Sequence, residues 1–451
     1  MITYSIIQKS QLESANRLDA EYYQPEYFID YSKGNWKPIG SFLEICQYGI
    51  SQAMNENAVG CPIFRMDDIK NAFLMDDEVK YVEISKNIFT QFKLEKNDVL
   101  FNRVNSEDFV GRTGIFKLDG IFVFASYLVR LRVKKEDSIL ADYLNIFLNS
   151  SFGIKQIRKF RRRAVNQANV NAEELKQIRI PVFPQNIQKE IEQLSNESWN
   201  NYELSKALYS QAEDLLLEEL GLKDFKPEED LSCTVNLSEV KSAHRADAEY
   251  FQPKYEKIIE KIKKYGAEVL LNIVENVPAK FNPLTQPDKL FKYVELSNIN
   301  SSIGIIDGYS EVSGQEAPGR AKRVLKTNDV IVSSVEGSLE KVALANKEQD
   351  GFLASTGFFQ FRGKEILPEV LLVLAKSLVL QMQLEKQCAG TILTAVPKEA
   401  IKNVFIPILP KSIQQKIADL VRQSHEARRK AKELLEEAKR KVEEMIEKKC
   451  N

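Results

Sequence analysis

Five cations fall within six positions at Arg158, Lys159, Arg161, Arg162 and Arg163, and the amides Gln167, Asn169 and Asn171 follow closely. A guanidinium grips a phosphate or a guanine edge through two parallel bonds, and a carboxamide matches the edge of adenine. The combination suits phosphate positioning with base reading beside it. The competing reading is a solvated, charged helix face, although no acidic residue interrupts the run. Further polar groups in loop-like stretches are candidates for the same chemistry. In the first half they are Ser51 and Gln52, Arg65 and Asp67, Asn102 with Arg103 and Asn105, and Arg112. In the second half they are Lys280 and Asn282, Ser333 with Ser334 and Glu336, Lys341, and Thr391. Each of these taken singly also fits a structural role. The second half is poorer in arginine, so contacts there would draw on Lys, Ser, Thr and Asn.

Catalytic patterns do not assemble. Asn282-Pro283-Leu284-Thr285 lacks the second proline and the aromatic residue of an amino-methyltransferase motif. Pro287-Asp288 with Glu295 resembles the start of a metal-dependent nuclease motif, but the lysine position is Ser297. No lysine follows a glycine-rich turn in the manner of a P-loop. His244 and His425 are the whole histidine supply, too few for a His-based triad or a His-rich metal site, and both are expected in solvated or capping roles. The chain therefore reads as non-catalytic, with no cofactor and no metal expected.

Bulk properties narrow the setting. At 451 residues the chain is too long for one core and implies two or three domains. The most apolar stretch, Leu371 to Leu380, is interrupted by Lys376 and too short for a bilayer. With no secretory pattern at the start and five cysteines in no ligand-like spacing, a reduced, cytoplasmic protein without membrane association is expected. The net charge of −1 leaves open where basic and acidic surfaces lie.

The elements that must position these residues are duplicated. Arg17-Leu18-Asp19-Ala20-Glu21-Tyr22-Tyr23-Gln24-Pro25 returns as Arg245-Ala246-Asp247-Ala248-Glu249-Tyr250-Phe251-Gln252-Pro253. Ile180-Pro181-Val182-Phe183-Pro184 returns as Ile406-Pro407-Ile408-Leu409-Pro410. Between these landmarks lie mixed α/β bodies with short β-rich runs, Val99-Leu100-Phe101 and Val330-Ile331-Val332, introduced by the turn-forming pairs Asn97-Asp98 and Asn328-Asp329. The motif's arginine is expected to pair with a carboxylate, as a lock between lead-in, body and helix. A duplicated unit buries similar surfaces twice, which predicts approximate two-fold symmetry.

A long helix follows each body. From Ile187, steps of four and three pass through Ile191, Leu194, Ser198, Asn201, Ser205, Leu208, Ala212 and Leu215. From Ile413 the same steps pass through Ile417, Leu420, Ser424, Ala427, Ala431, Leu434 and Ala438. Asn186 and Ser412 are the expected caps. Such a stripe is a coiled-coil seam whose small residues allow close approach. At roughly 1.5 Å per residue each helix is about 50–55 Å long. The pattern predicts an α+β chain of two tandem mixed bodies whose helices pair antiparallel as a rod between them. The alternative is that each helix packs back on its own body.

In order, Arg17-x-Asp-Ala-Glu-Tyr-Tyr-x-Pro, Tyr48-Gly49-Ile50-Ser51, Phe64-Arg65-Met66-Asp67-Asp68-Ile69, Asn97-Asp98-Val99-Leu100 and Asn169-Val170-Asn171-Ala172-Glu173-Glu174-Leu175 lead to the first Ile-Pro segment. The second half repeats this more loosely, with Tyr293-Val294-Glu295-Leu296-Ser297-Asn298-Ile299 and Ala389-Gly390-Thr391-Ile392-Leu393. In this order the chain resembles the specificity subunits of Type I restriction–modification enzymes over essentially its whole length. The resemblance implies two target-recognition domains, each reading half of a split sequence in double-stranded DNA, and two spacer helices. It implies as partners two methyltransferase (modification) subunits and, in the full complex, motor-nuclease (restriction) subunits. It divides the chain into a first recognition domain with lead-in (1–184), a first spacer helix (185–222), a second domain with lead-in (223–410) and a second spacer helix (411–451). The second body departs from the pattern, offering Lys280-Phe281-Asn282-Pro283 in place of the Gly49-Ile50-Ser51 loop. A non-catalytic coiled-coil scaffold for protein or carbohydrate partners is the alternative function.

Overall fold

In both bodies the Asn-Asp pair turns the chain into a fully buried strand, Val99–Asn102 in one and Val330–Ser333 in the other. Asn97 and Asn328 take the left-handed conformation, with φ of 71° and 72°, which asparagine tolerates better than most residues. The aspartates at the next position close the turn by accepting from the backbone N–H of Glu95 and Lys326, each at 2.8 Å. Asp98 also receives Arg132 at 2.6 and 2.7 Å, and Asp329 receives Arg362 at 2.9 and 3.1 Å. Local turn chemistry and a cross-strand ion pair thus fix the same strand twice.

The structure is a computed structural model that describes residues 5–10, 12, 17–135, 139–164, 167–227, 232–390 and 394–450. The chain divides into two units: Met1–Tyr202 with Arg429–Asn451, and Glu203–Arg428. Both boundaries fall inside the long helices, Gln185–Glu219 and Lys411–Cys450, so each unit takes a segment of each helix.

In the first unit a six-stranded sheet runs in the order Leu43–Tyr48, Leu128–Val133, Val99–Asn102, Thr113–Ile115, Phe73–Leu74, Ile69–Lys70. A smaller sheet places Cys61–Phe64 between Val123–Phe124 and Lys80–Val82. In the second unit, Val330–Ser333 lies between Phe358–Gly363 and Val342–Leu344. A second four-stranded sheet there matches the smaller sheet of the first unit, with Leu290–Val294 parallel to Leu353–Ser355 as Cys61–Phe64 is to Val123–Phe124. Each unit backs its sheet with two consecutive helices, Ala141–Leu148 and Ser151–Phe160, or Pro368–Lys376 and Leu378–Gln387.

Copied side chains bind each frame together. Gln156 exchanges two hydrogen bonds with the backbone of Arg179, both 2.8 Å, and Gln383 does the same with Phe405, again at 2.8 Å. The repeated motif is a lock, as expected. The Arg17 guanidinium donates to Asp19 at 2.6 and 2.7 Å and to the carbonyls of Phe160 and Arg161. Arg245 donates to Asp247 and to the carbonyls of Gln387 and Cys388, the matching positions. Hydrogen bonding to the arginine holds the Asp19 and Asp247 carboxyls below their usual range, and it outweighs the desolvation that opposes it.

The long helices pair antiparallel in both units. Ser198 Oγ donates to the Ala431 carbonyl in the first unit, and Ser424 Oγ to the Ser205 carbonyl in the second, each at 2.7 Å. These are one contact made twice, and small side chains let the backbones approach closely enough to make it. The stripe differs in one respect from the expected seam. Ile191, Ser198, Ser205 and Ala212 are buried as expected, but the companion row is Ser195, Tyr202, Tyr209 and Leu216, one residue beyond Leu194, Asn201, Leu208 and Leu215. In the second helix Val421, Leu435 and Val442 likewise lie one residue beyond the expected row, whereas the expected Ala427 is buried together with Arg428. The cause is packing on the bodies. Trp199 meets Phe73 with ring centroids 5.2 Å apart, and Tyr209 lies under Lys376 Nζ at 4.6 Å. The helices thus combine both anticipated arrangements, and serving two partners widens the buried face. The helices begin at Gln185 and Lys411, as the expected bounds have it, which puts the caps two residues before Asn186 and Ser412. The cap position is therefore proline: the Pro184 carbonyl accepts from Ile187 and Gln188, and that of Pro410 from Ile413 and Gln414.

Candidate nucleic-acid interface

The central strand of the first unit ends at Asn102, and several candidates gather just beyond that end. Strands Arg162–Ala164 and Gln167–Asn169 pair antiparallel, and the second of them also pairs with Val104–Asn105. Register sets Arg162 opposite Asn169 and Ala164 opposite Gln167, so Arg162, Gln167 and Asn169 share one face. Arg163 stands opposite Ala168 and shares the other face with Asn105. The cationic run is therefore no continuous helix face. Arg158 is exposed in the last turn of Ser151–Phe160, Arg161 ends that helix, and Arg162 and Arg163 belong to the strand.

The run lacks acids in sequence, and the fold supplies them. Glu174 takes Arg162 at 2.7 Å, Glu21 takes Arg163 at 2.5 Å, and Glu107 takes Arg163 at 2.7 Å and Arg161 at 3.4 Å. Glu174 is itself held by Arg17 at 3.1 Å. The cations are paired, yet Arg162 and Arg163 keep 61% and 42% of their side-chain surface in solvent, so a ligand can reach them.

The remaining candidates of this unit divide by environment. Asn102 is fully buried, donates to the Phe109 carbonyl at 3.2 Å, and its Oδ1 has no hydrogen-bond partner among the described residues. Arg103 donates to the Ser126 carbonyl at 3.0 Å and lies over the Tyr48 ring at 4.8 Å. Asn105 Oδ1 accepts from the N–H of Ser106. Arg112 is exposed over the Phe109 ring at 3.9 Å. Arg65 is tied to Asp68 and the Glu78 carbonyl, which makes it a frame residue. Ser51 and Gln52 are exposed just past Ile50, which bridges to Ala125. A β-carbon on Gly49 would sit 2.3 Å from the carbonyls of Phe124 and Ala125, so only glycine fits there.

In the second unit the backbone around the strand end is the same. Ser334 N–H donates to the Gly357 carbonyl and its own carbonyl accepts from Val396, just as Arg103 donates to Tyr127 and accepts from Val170. Bridges Ala389–Ala395 and Val335–Ala395 correspond to the pairs Arg162–Asn169 and Val104–Asn169. The side chains do not correspond. Asn102-Arg103 is replaced by Ser333-Ser334, and Arg162-Arg163 by Ala389-Gly390. Ser333 is buried and accepts from Val335 N–H, Ser334 donates to the Gly357 carbonyl, and Lys341 is half-buried. Lys280 is exposed, and Asn282 caps the short turn Pro283–Thr285. Thr391 lies outside the described residues. The missing Gly-x-Ser loop has a structural counterpart, because strand Ala321–Val324 covers the edge of Leu353–Ser355 that Ile50 only touches in the first unit. Sequence reasoning missed Glu21 and Glu107, whose separation from the arginines hides the pairing. It also missed exposed Arg320, just before that added strand, and exposed Lys322 within it.

Neither histidine is poised for chemistry. His244 ends helix Leu237–Ala243 in the left-handed conformation, a capping role. His425 is not solvated as expected: its Nε2 lies 2.9 Å from the Ile303 carbonyl, and burial pulls its pKa down. Among the described residues no group of three or more His, Cys, Asp or Glu is arranged to hold a metal ion, and no helix is long and apolar enough to cross a membrane.

The frame is duplicated, its copied parts are structural, and its strand-end side chains differ. Residues 33–211 and 286–439 match the family described as Type I restriction modification DNA specificity domain. The match takes in more than half of the chain, and the chain belongs to that family. Among curated relatives, the chain is 29% identical over 157 residues to a Methanocaldococcus jannaschii protein provisionally named the type I restriction enzyme MjaX specificity subunit, covering 34% of this chain and 37% of the relative. It is 26% identical over 172 residues to the type I restriction enzyme EcoKI specificity subunit of Escherichia coli K12, covering 38% and 36%. These matches span little more than a third of each relative's length. A solved type I restriction–modification S subunit from M. genitalium aligns with 94% of this chain and 98% of its own, at 11% identity and a TM-score of 0.45.

Proposed function

We propose that this chain selects the DNA target of a Type I restriction–modification complex, each unit reading one half of a bipartite, asymmetric site. The observation that carries this reading is the strand end. Identical backbone hydrogen bonding presents Arg103 in one unit and Ser334 in the other, so a common frame offers two different chemistries. Arginine suits a guanine edge, whereas a hydroxyl makes weaker and less discriminating contacts. The units would therefore prefer different half-sites. In this account the chain performs no catalysis. Methyltransferase subunits, docked on the copied surfaces around Arg17 and Arg245, modify the DNA, and motor-nuclease subunits act in the full complex. The paired helices set the distance between half-sites.

Retention of the full chain on double-stranded DNA tests the reading. Replacing Arg161, Arg162 and Arg163 together by alanine should weaken binding to a mixed-sequence duplex about tenfold or more and flatten the slope of log K against log salt by about 2, as phosphate contacts are lost. The predicted loss is smaller than for three unpaired arginines, because Glu21, Glu107 and Glu174 already neutralise part of the charge. Unaltered retention would move the DNA face elsewhere and favour a protein-binding scaffold.

A further inference from the structure

Of the three acids that meet the arginine run, two belong to the copied frame. Glu174 is 10% exposed, bonds to Arg17 and accepts from Asn171 N–H. Glu21 belongs to the repeated motif and returns as Glu249, although the position corresponding to Arg163 is Gly390; its presence does not depend on an arginine opposite. Glu107 is different. It stands on the turn between Val104–Asn105 and Thr113–Ile115, and its side chain is 45% exposed. Among the described residues its carboxylate contacts two guanidiniums, Arg163 Nε through Oε1 at 2.7 Å and Arg161 Nη2 through Oε2 at 3.4 Å. The Glu107 carbonyl also accepts from Arg161 at 3.4 Å. Two oxygens of one anion spread over two guanidinium groups is the arrangement a DNA phosphate would take there.

Resting on the DNA-binding reading, we infer that Glu107 is an intramolecular stand-in for phosphate, competing with DNA for Arg161 and Arg163 and holding down affinity for duplexes of arbitrary sequence. The Glu107–Arg163 pair is exposed on both sides, whereas Arg161 is only 10% exposed. Exposed carboxylate–guanidinium pairs are weak and readily exchanged, so a backbone phosphate can displace Glu107 from Arg163 first. It gains less by doing so than it would on bare arginines. Because sequence-independent affinity comes almost wholly from phosphate neutralisation, the carboxylate limits the binding that would strand the protein on the excess of non-target DNA. The device belongs to the first unit, since the second carries Ala389-Gly390 at the matching positions.

The test uses the full chain and a mixed-sequence duplex of about 40 base pairs, with affinity measured across a salt series. Glu107→Gln keeps the size of the side chain and removes its charge. The expected result is binding about threefold to tenfold tighter at low salt, with the log–log salt slope steeper by about 0.9 for one added phosphate contact. The gain should vanish when Arg161 and Arg163 are also replaced by alanine. Two results would overturn the inference: E107Q binding no tighter than wild type, or a gain that persists without the two arginines, which would mark a general effect of net charge. Failure of the wild-type chain to bind the duplex at any salt concentration would instead remove the DNA-binding reading itself.

Discussion

Replacing Asp98 by alanine should destabilise the first unit by about 3 kcal/mol, and Asp329→Ala should do the same to the second. Both carboxylates are buried, 1% and 0% exposed, and each joins a turn to a neighbouring strand. Removing Asp98 frees the N–H of Glu95 and strips Arg132 of its two short bonds. The nearby Arg130 guanidinium, 3.9 Å from the same carboxylate, is itself only 4% exposed. Breaking a buried pair on one side costs about 3–5 kcal/mol because the remaining charge stays desolvated. The lower end applies here, since Arg132 keeps Glu95 at 2.9 Å and some access to water. Asp98→Asn retains an acceptor for the turn and should fall between wild type and alanine. Chemical denaturation of the two variants reads the effect, and a loss below about 1 kcal/mol would show that the turn does not organise the strand.

Trp199→Ala should cost a comparable amount, about 3–5 kcal/mol, the usual range for deleting a buried large aromatic side chain. Trp199 stacks on Tyr202 at 5.6 Å and packs against Phe73 of the six-stranded sheet. The long helix is therefore part of the first unit's core. A freestanding spacer would lose much less at this position. The exposed neighbour Asn200 is the control, where alanine should change stability by no more than about 0.5 kcal/mol. If both substitutions prove equally mild, the helix is not integral to the unit's fold. A large effect at Trp199 bears on any attempt to alter half-site spacing, because shortening the helices would also remove core residues.

Much of this frame was readable from the chain. The repeated motif gave the arginine lock, the Asn-Asp pairs gave the turns before the central strands, and heptad spacing gave Ile191, Ser198, Ser205 and Ala212 as seam residues. Apart from Ala427, which is buried as expected, the second buried row was placed one residue off, because a period reports one face and not the second partner that widens it. Asn186 and Ser412 looked like caps because they are good capping residues, but Pro184 and Pro410 already start the helices through their carbonyls. The candidate interface was less accessible. The run from Arg158 to Arg163 seemed free of acids because Glu21 and Glu107 lie far away in sequence and only strand pairing brings them in. Arg65 looked like a reader and is bound into a turn, which depends on the position of Asp68 and no property of arginine alone.

The most direct test is selection from a library of randomised double-stranded DNA using the full chain together with its modification subunits, followed by sequencing of the bound fraction. The account predicts two short conserved blocks of unequal sequence separated by a fixed number of unconserved base pairs. Replacing Arg103 by serine should change one block and leave the other intact. A single continuous block, or enrichment with no preferred spacing, would contradict it.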